Sequence, residues 1–125
     1  VYMGTRFIPT AESMASDEYK QMLVDSSLDD LIVSSALTGT PASWLKPSLR
    51  ANGLDPDNLP PPPARNYDSN QSLGAKRWKE VWAAGQGVGA IRAVEPVGQV
   101  VDRLSVEYRA ACERLATLNR VPVAA

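Results

Sequence analysis

Between Val97 and Leu115 apolar side chains return every three or four positions, at Val97, Val100, Val101, Leu104, Tyr108, Ala111 and Leu115. That spacing places them along one side of an α-helix. Pro96 suits the first helical position, where a missing N–H does no harm. Asn119 and the Val121-Pro122 tail end the pattern, which predicts one amphipathic helix of about 22 residues. Most of the stability of such a helix comes from laying its apolar stripe against something else. Sustained spacing is compatible with a coiled coil, but Val-rich positions of mixed size in one isolated helix favour docking onto a globular body.

The rest of the chain is broken up by glycine and proline. Ser16 or Asp17 can cap a helix of about ten residues in which Tyr19, Met22 and Leu23 share a face. Asp17 and Glu18 lie at its positive end. Leu31-Ile32-Val33 reads as a short strand or extended segment, and Thr38-Gly39-Thr40-Pro41 as a turn. Ser43 is a candidate cap for a helix from Trp44 to Ala51, ended by Asn52-Gly53, residues that tolerate a left-handed conformation. From Leu54 to Ser72 the chain is a proline-rich loop. Its run from Pro60 to Pro63 matches a polyproline ligand, yet with only Arg65 close by a stiff connector is the better reading. Helical character returns from Ala75 to Trp82, with Trp78, Val81 and Trp82 on one face, before the glycine cluster Gly85-Gln86-Gly87-Val88-Gly89.

Charge and residue content limit the chemistry. Thirteen basic and fourteen acidic residues give a net charge of −1, so no global field draws in nucleic acid or an anionic membrane surface. No apolar run approaches the length of a membrane span. The chain has one cysteine, Cys112, which rules out an internal disulfide and fits a reducing cytoplasm. It has no histidine, which removes Ser-His and Cys-His nucleophilic sites and histidine metal clusters. No carboxylate sits in an apolar context, and Asp55-Pro56-Asp57-Asn58 lacks the spacing of a calcium loop. Neither a catalytic residue nor a metal ligand is predicted.

One phosphate-loop candidate stands at the opening. Val1-Tyr2-Met3-Gly4-Thr5-Arg6-Phe7 reads as the last turn of a buried strand running into a Gly-Thr loop. Gly4 would let a ligand approach the backbone, the N–H groups of Gly4, Thr5 and Arg6 could converge on an anion, and the Thr5 hydroxyl would add a donor. The Gly85–Gly89 cluster is not a dinucleotide fingerprint, since no strand precedes it. It remains open between a glycine-rich approach to a flat ligand and a helix that ends at Ala84-Gly85.

Taken in order, VYMGTRFIPT at Val1 to Thr10, YKQMLVDSS at Tyr19 to Ser27, Leu37-Thr38-Gly39, Leu45-Lys46-Pro47-Ser48, Ala51 to Asp57, Trp78 to Gly89 and Glu107 to Ala111 resemble the C-terminal end of nitronate monooxygenases, once called 2-nitropropane dioxygenases. The resemblance implies an α/β fold in which the chain is the C-terminal portion of a flavin-binding TIM barrel, itself mostly α-helical with one or two short strands. The implied division runs 1–10, the end of the last strand and FMN phosphate loop; 11–94, a segment over the active-site mouth; 95–118, the amphipathic helix; and 119–125, a tail. The family's phosphate segment falls on Tyr2, Met3, Gly4 and Thr5, with Tyr2 in place of the usual Gln. A stretch near the substrate side of the flavin falls on Gln86 and Gly87.

The implied activity is that of an FMN-dependent, cytoplasmic oxidoreductase acting on a nitronate or nitroalkane with molecular oxygen. The family's base is a histidine on an earlier strand, so the chain alone is expected to be inactive. Two rivals remain: a flavin-dependent enoyl-acyl-carrier-protein reductase, whose barrel also carries Met-Gly-Thr and Ala-Gly-Gln stretches, and a non-enzymatic helical module that binds a partner.

Overall fold

The structure is a computed structural model that describes residues 3–62 and 80–118. Its elements are a one-turn helix α1 (Gly4–Phe7), α2 (Asp17–Asp25), a 3-10 turn at Leu28–Asp30, strands β1 (Leu31–Ser34) and β2 (Ala42–Leu45), α3 (Lys46–Ala51), a second 3-10 turn at Gln86–Ala90, and the long helix α4 (Val97–Leu118). The described residues are about half helical with one two-stranded sheet, consistent with the helix-rich chain anticipated.

Local chemistry accounts for the helix ends. The Ser16 hydroxyl accepts the Tyr19 N–H at 3.3 Å, capping α2, and two acidic residues occupy its first turn, which favours the dipole. At α3, Asn52 forms the cap and Gly53 follows at φ +73°, in the left-handed region that glycine enters without steric cost. Ser27 and Asp30 form a reciprocal capping box around the first 3-10 turn.

The predicted start of α3 at Trp44 is two residues too early. Strands β1 and β2 pair antiparallel, Leu31 opposite Leu45 and Ile32 opposite Trp44, so the backbone of residues 42–45 is committed to the sheet. The predicted helix from Ala75 through Trp82 ends early: among its described residues Glu80 alone is helical. Val81 and Trp82 are not helical, and residues 82–84 run extended along the other edge of β2. There the Leu45 N–H donates to the Trp82 carbonyl (3.0 Å), and the Ala84 N–H donates to the Ser43 carbonyl (3.1 Å). The edge of a two-stranded ribbon offers unpaired backbone groups, and this segment takes them. Trp78 lies outside the described residues.

Alternation along β2 splits the apolar interior in two, because successive side chains of a strand point to opposite faces. Leu45 joins Leu23, Ala84, Val88 and Ile91 on one side, while Trp44 joins Ala36, Leu37, Leu49 and Val81 on the other. Tyr19 stacks on Trp82 with centroids 4.9 Å apart and donates its hydroxyl to the Ala83 carbonyl at 2.5 Å, closing the first cluster. Burial in that cluster raises the Tyr19 phenol pKa.

The long helix departs from the expectation that its stripe docks on the globular body. Val100 is its one buried residue, while Val97, Val101, Tyr108 and Leu115 are exposed. A 22-residue helix is about 33 Å long, and only its first turns touch the small body described here. Those turns are held firmly: Glu12 accepts the Val97 N–H with both carboxylate oxygens, at 2.9 and 3.1 Å. Beside this contact a parallel bridge joins Thr10 to Glu95.

Candidate functional site

The opening segment does not form the loop that its sequence predicts. Gly4–Phe7 is a single helical turn after Met3, with the Arg6 N–H donating to the Met3 carbonyl at 3.1 Å. That donor is therefore unavailable to an anion, contrary to the reading in which three consecutive N–H groups converge. Turning the chain into a helix at Gly4 has a second effect, because it drives the Arg6 side chain inward, where it is 6% exposed. Tyr2 lies outside the described residues.

Across from this turn stands the second glycine cluster. The Gly85 N–H donates to Thr5 Oγ1 at 2.8 Å, and the chain then makes its 3-10 turn from Gln86 to Ala90, pinned by the fully buried Val88. No helix ends at Ala84-Gly85, so that alternative is set aside.

Between α1, this turn and α4 lies a cavity of about 480 Å³. Four of the residues singled out in the sequence line it: Met3, Thr5, Gln86 and Gly87. Gly4 does not, although a Cβ added there, or at Gly87, would meet no atom within 4 Å. Val100 and Leu104 supply an apolar wall from α4.

Charged residues that sequence reasoning missed complete the lining. Arg6 and Arg103 both face the cavity, and both grip one carboxylate. Arg6 Nη2 donates to Glu95 Oε2 at 3.1 Å, and Arg103 Nη2 pairs with Glu95 Oε1. The hydrogen bond from Arg103 first, and then that from Arg6, holds the Glu95 carboxyl below the usual carboxylate range. Arg6 Nη1 is buried without a hydrogen-bond partner among the described residues. A charged donor left in that condition is costly. Glu107, exposed on α4 one turn beyond Arg103, also lines the space. The available signal was Arg6 itself, one charge set among Phe7, Ile8 and Pro9; its partners 89 and 97 positions away carry no local mark. Among the described residues no group of three or more His, Cys, Asp or Glu could hold a metal ion, and no helix is long and apolar enough to cross a membrane.

The fold defined by these elements is one already seen as part of a larger structure. The M276A mutant of FabK from Thermotoga maritima superposes with a TM-score of 0.60 at 26% identity, over 93% of this chain and 35% of that one. FabK from the same organism superposes at 0.61 and 24%, over 93% and 39%.

In sequence, the chain is similar to proteins described as probable nitronate monooxygenases. A protein of Staphylococcus haemolyticus described as a probable nitronate monooxygenase is 31% identical over 111 residues, 83% of this chain and 30% of its own length. Its counterpart in Staphylococcus saprophyticus is 31% identical over 91 residues, 66% of this chain and 25% of its own. The chain thus spans under a third of the curated relatives that it matches. No protein-family model matches it.

Proposed function

We propose that the chain is part of a flavin-dependent oxidoreductase of the nitronate monooxygenase type, in which the cavity between α1, the Gln86–Ala90 turn and α4 receives part of an FMN cofactor. The observation that carries this reading is the meeting of Met3 and Thr5 with Gln86 and Gly87, about 80 positions later in the chain, on the wall of one cavity. Its volume falls within the ordinary range for small-molecule sites.

The lining fits such a group. Gly87 leaves room for a flat ring to approach the backbone, Val100 and Leu104 offer it an apolar surface, and the guanidinium side suits a phosphate. Thr5, Met3, Gln86 and Gly87 would hold it. The flavin supplies the redox chemistry when bound, oxidising an alkyl nitronate with molecular oxygen as electron acceptor. The cavity-lining residues of this chain would bind and orient it.

The likeness in fold to FabK favours a second reading, a flavin-dependent enoyl-acyl-carrier-protein reductase. Assays on a longer protein containing this chain separate the two. Oxygen uptake on an alkyl nitronate that requires FMN supports the first. Reduction of an enoyl thioester by NADH, without oxygen uptake on nitronate, overturns it in favour of the second.

A further inference from the structure

The uncovered stripe of α4 has a stricter spacing than docking onto a globular body requires. Its apolar positions 97, 101, 104, 108, 111, 115 and 118 step by four and three residues in unbroken alternation to the end of the helix. That is the 3.5-residue repeat of a coiled-coil seam, narrower than the stripe by which a surface helix meets a core. Val101, Tyr108, Leu115 and Leu118 on it are exposed among the described residues. We propose that α4 pairs antiparallel with the α4 of a second copy of this chain through this seam, with Glu107 of each copy beside Arg114 of the other.

Side-chain size selects the direction. In an antiparallel pair Tyr108 meets Ala111 of the second copy, and Ala111 meets its Tyr108. Leu104 faces Leu115 in the next layer on either side, and Val101 faces Leu118 at the ends. Large residues then oppose small ones and the layers fill. A parallel pair would set Tyr108 against Tyr108 and leave a gap between two alanines.

Charge selects the same arrangement. Glu107 and Arg114 border the seam on one flank, one heptad apart, and flanking charges decide partner and orientation in such pairs. Both are exposed, and neither forms an ion pair among the described residues. With the layers matched as above, each Glu107 lies beside an Arg114 of the other copy, so the two-fold makes the contact twice. In a parallel pair Glu107 would face Cys112 instead. The opposite flank carries Ser105 and Cys112, which bring no charge to the contact. Past its first turns α4 leaves the body, so a second helix can lie along it with the two bodies at opposite ends.

Sedimentation velocity of the 125-residue chain between about 1 and 100 μM should show a monomer passing into a dimer and nothing larger. Leu115→Asp, which puts a charge in the seam, should leave it monomeric throughout. Arg114→Glu and Glu107→Arg each set like charges together twice, and each should weaken pairing about tenfold or more. Mixed in equal amounts, these two variants should associate more tightly than either does alone, because both flanking contacts are then between opposite charges. Helical circular dichroism of each variant when dilute shows that it is folded.

A parent chain that stays monomeric at about 100 μM leaves the stripe to some other segment or partner and overturns the pairing. Association that survives Leu115→Asp, or that grows beyond the dimer, overturns it as well. A mixture no tighter than its components removes the antiparallel register.

Discussion

Thr5 Oγ1 accepts the Gly85 N–H at 2.8 Å, joining positions 80 residues apart. The bond fixes the distance between α1 and the turn at Gln86–Ala90, and so sets the width of the cavity between them.

Replacing Thr5 with Val keeps the shape and deletes the acceptor. The expected cost is about 1 kcal/mol of folding free energy, with Thr5→Ser close to the parent. Urea unfolding of the three proteins side by side checks it; a Val variant as stable as the parent would mean that water replaces the hydroxyl without loss.

Stability should fall in acid through Glu95. Its folded-state pKa lies below the unfolded value, depressed by Arg103 and then by Arg6. Stability from this source is therefore fully present above the unfolded value, about 4.3 for glutamate, and is lost as the pH falls through the lower folded value. Asp30, held down chiefly by the Ser27 N–H, acts in the same direction. Thermal unfolding of the parent and of Glu95→Gln between about pH 7 and pH 3 should show the two curves converging in acid, whereas a gap that stays constant rules the linkage out.

Burial and exposure predict contrasting truncations. Trp44 is 0% exposed and its indole N–H donates to the Ser34 carbonyl at 3.1 Å, so Trp44→Ala should cost about 3–5 kcal/mol, a large share of what a domain this size possesses. Tyr108 is 72% exposed, and Tyr108→Ala should change stability by no more than about 0.5 kcal/mol. Denaturant midpoints of the dilute monomer decide it. A large loss at Tyr108 would show that the outer stripe of α4 is covered.

Two glycines should respond with opposite signs. Gly53, at φ +73°, forces an alanine into the left-handed region at a cost of about 1 kcal/mol. Gly98 is the second residue of α4, where an added Cβ would meet no atom within 4 Å, so Gly98→Ala should stabilise the helix by roughly 0.5 kcal/mol, less than at an interior position. Thermal melts of the two variants, run together, test both.

What was legible in the residues is what neighbours in sequence decide. The caps at Ser16 and at Asn52-Gly53, the extended run at Leu31-Ile32-Val33 and the span of α4 all rest on contacts within a few positions, and the structure has them. Residues 42–45 and 82–84 misled, because both carry helix-compatible patterns and both are held extended by distant pairing, residues 42–45 between β1 and residues 82–84, and residues 82–84 along the free edge of β2. The opening turn misled for the same reason: the extended reading of Met3-Gly4-Thr5 yields to a helical turn in which Arg6 reaches Glu95.

The candidate site shows the same division. Sequence order, with its resemblance to one enzyme family, selected Met3, Thr5, Gln86 and Gly87 as functional candidates, and the period of the apolar stripe set the length of α4. Only the tertiary structure brought those residues to one cavity, left most of the stripe in water, and placed Arg6 and Arg103 on either side of Glu95. Helix periodicity and capping act over one or two turns, so a linear string records them; an ion pair between residues 6 and 95 depends on every fold of the chain between them.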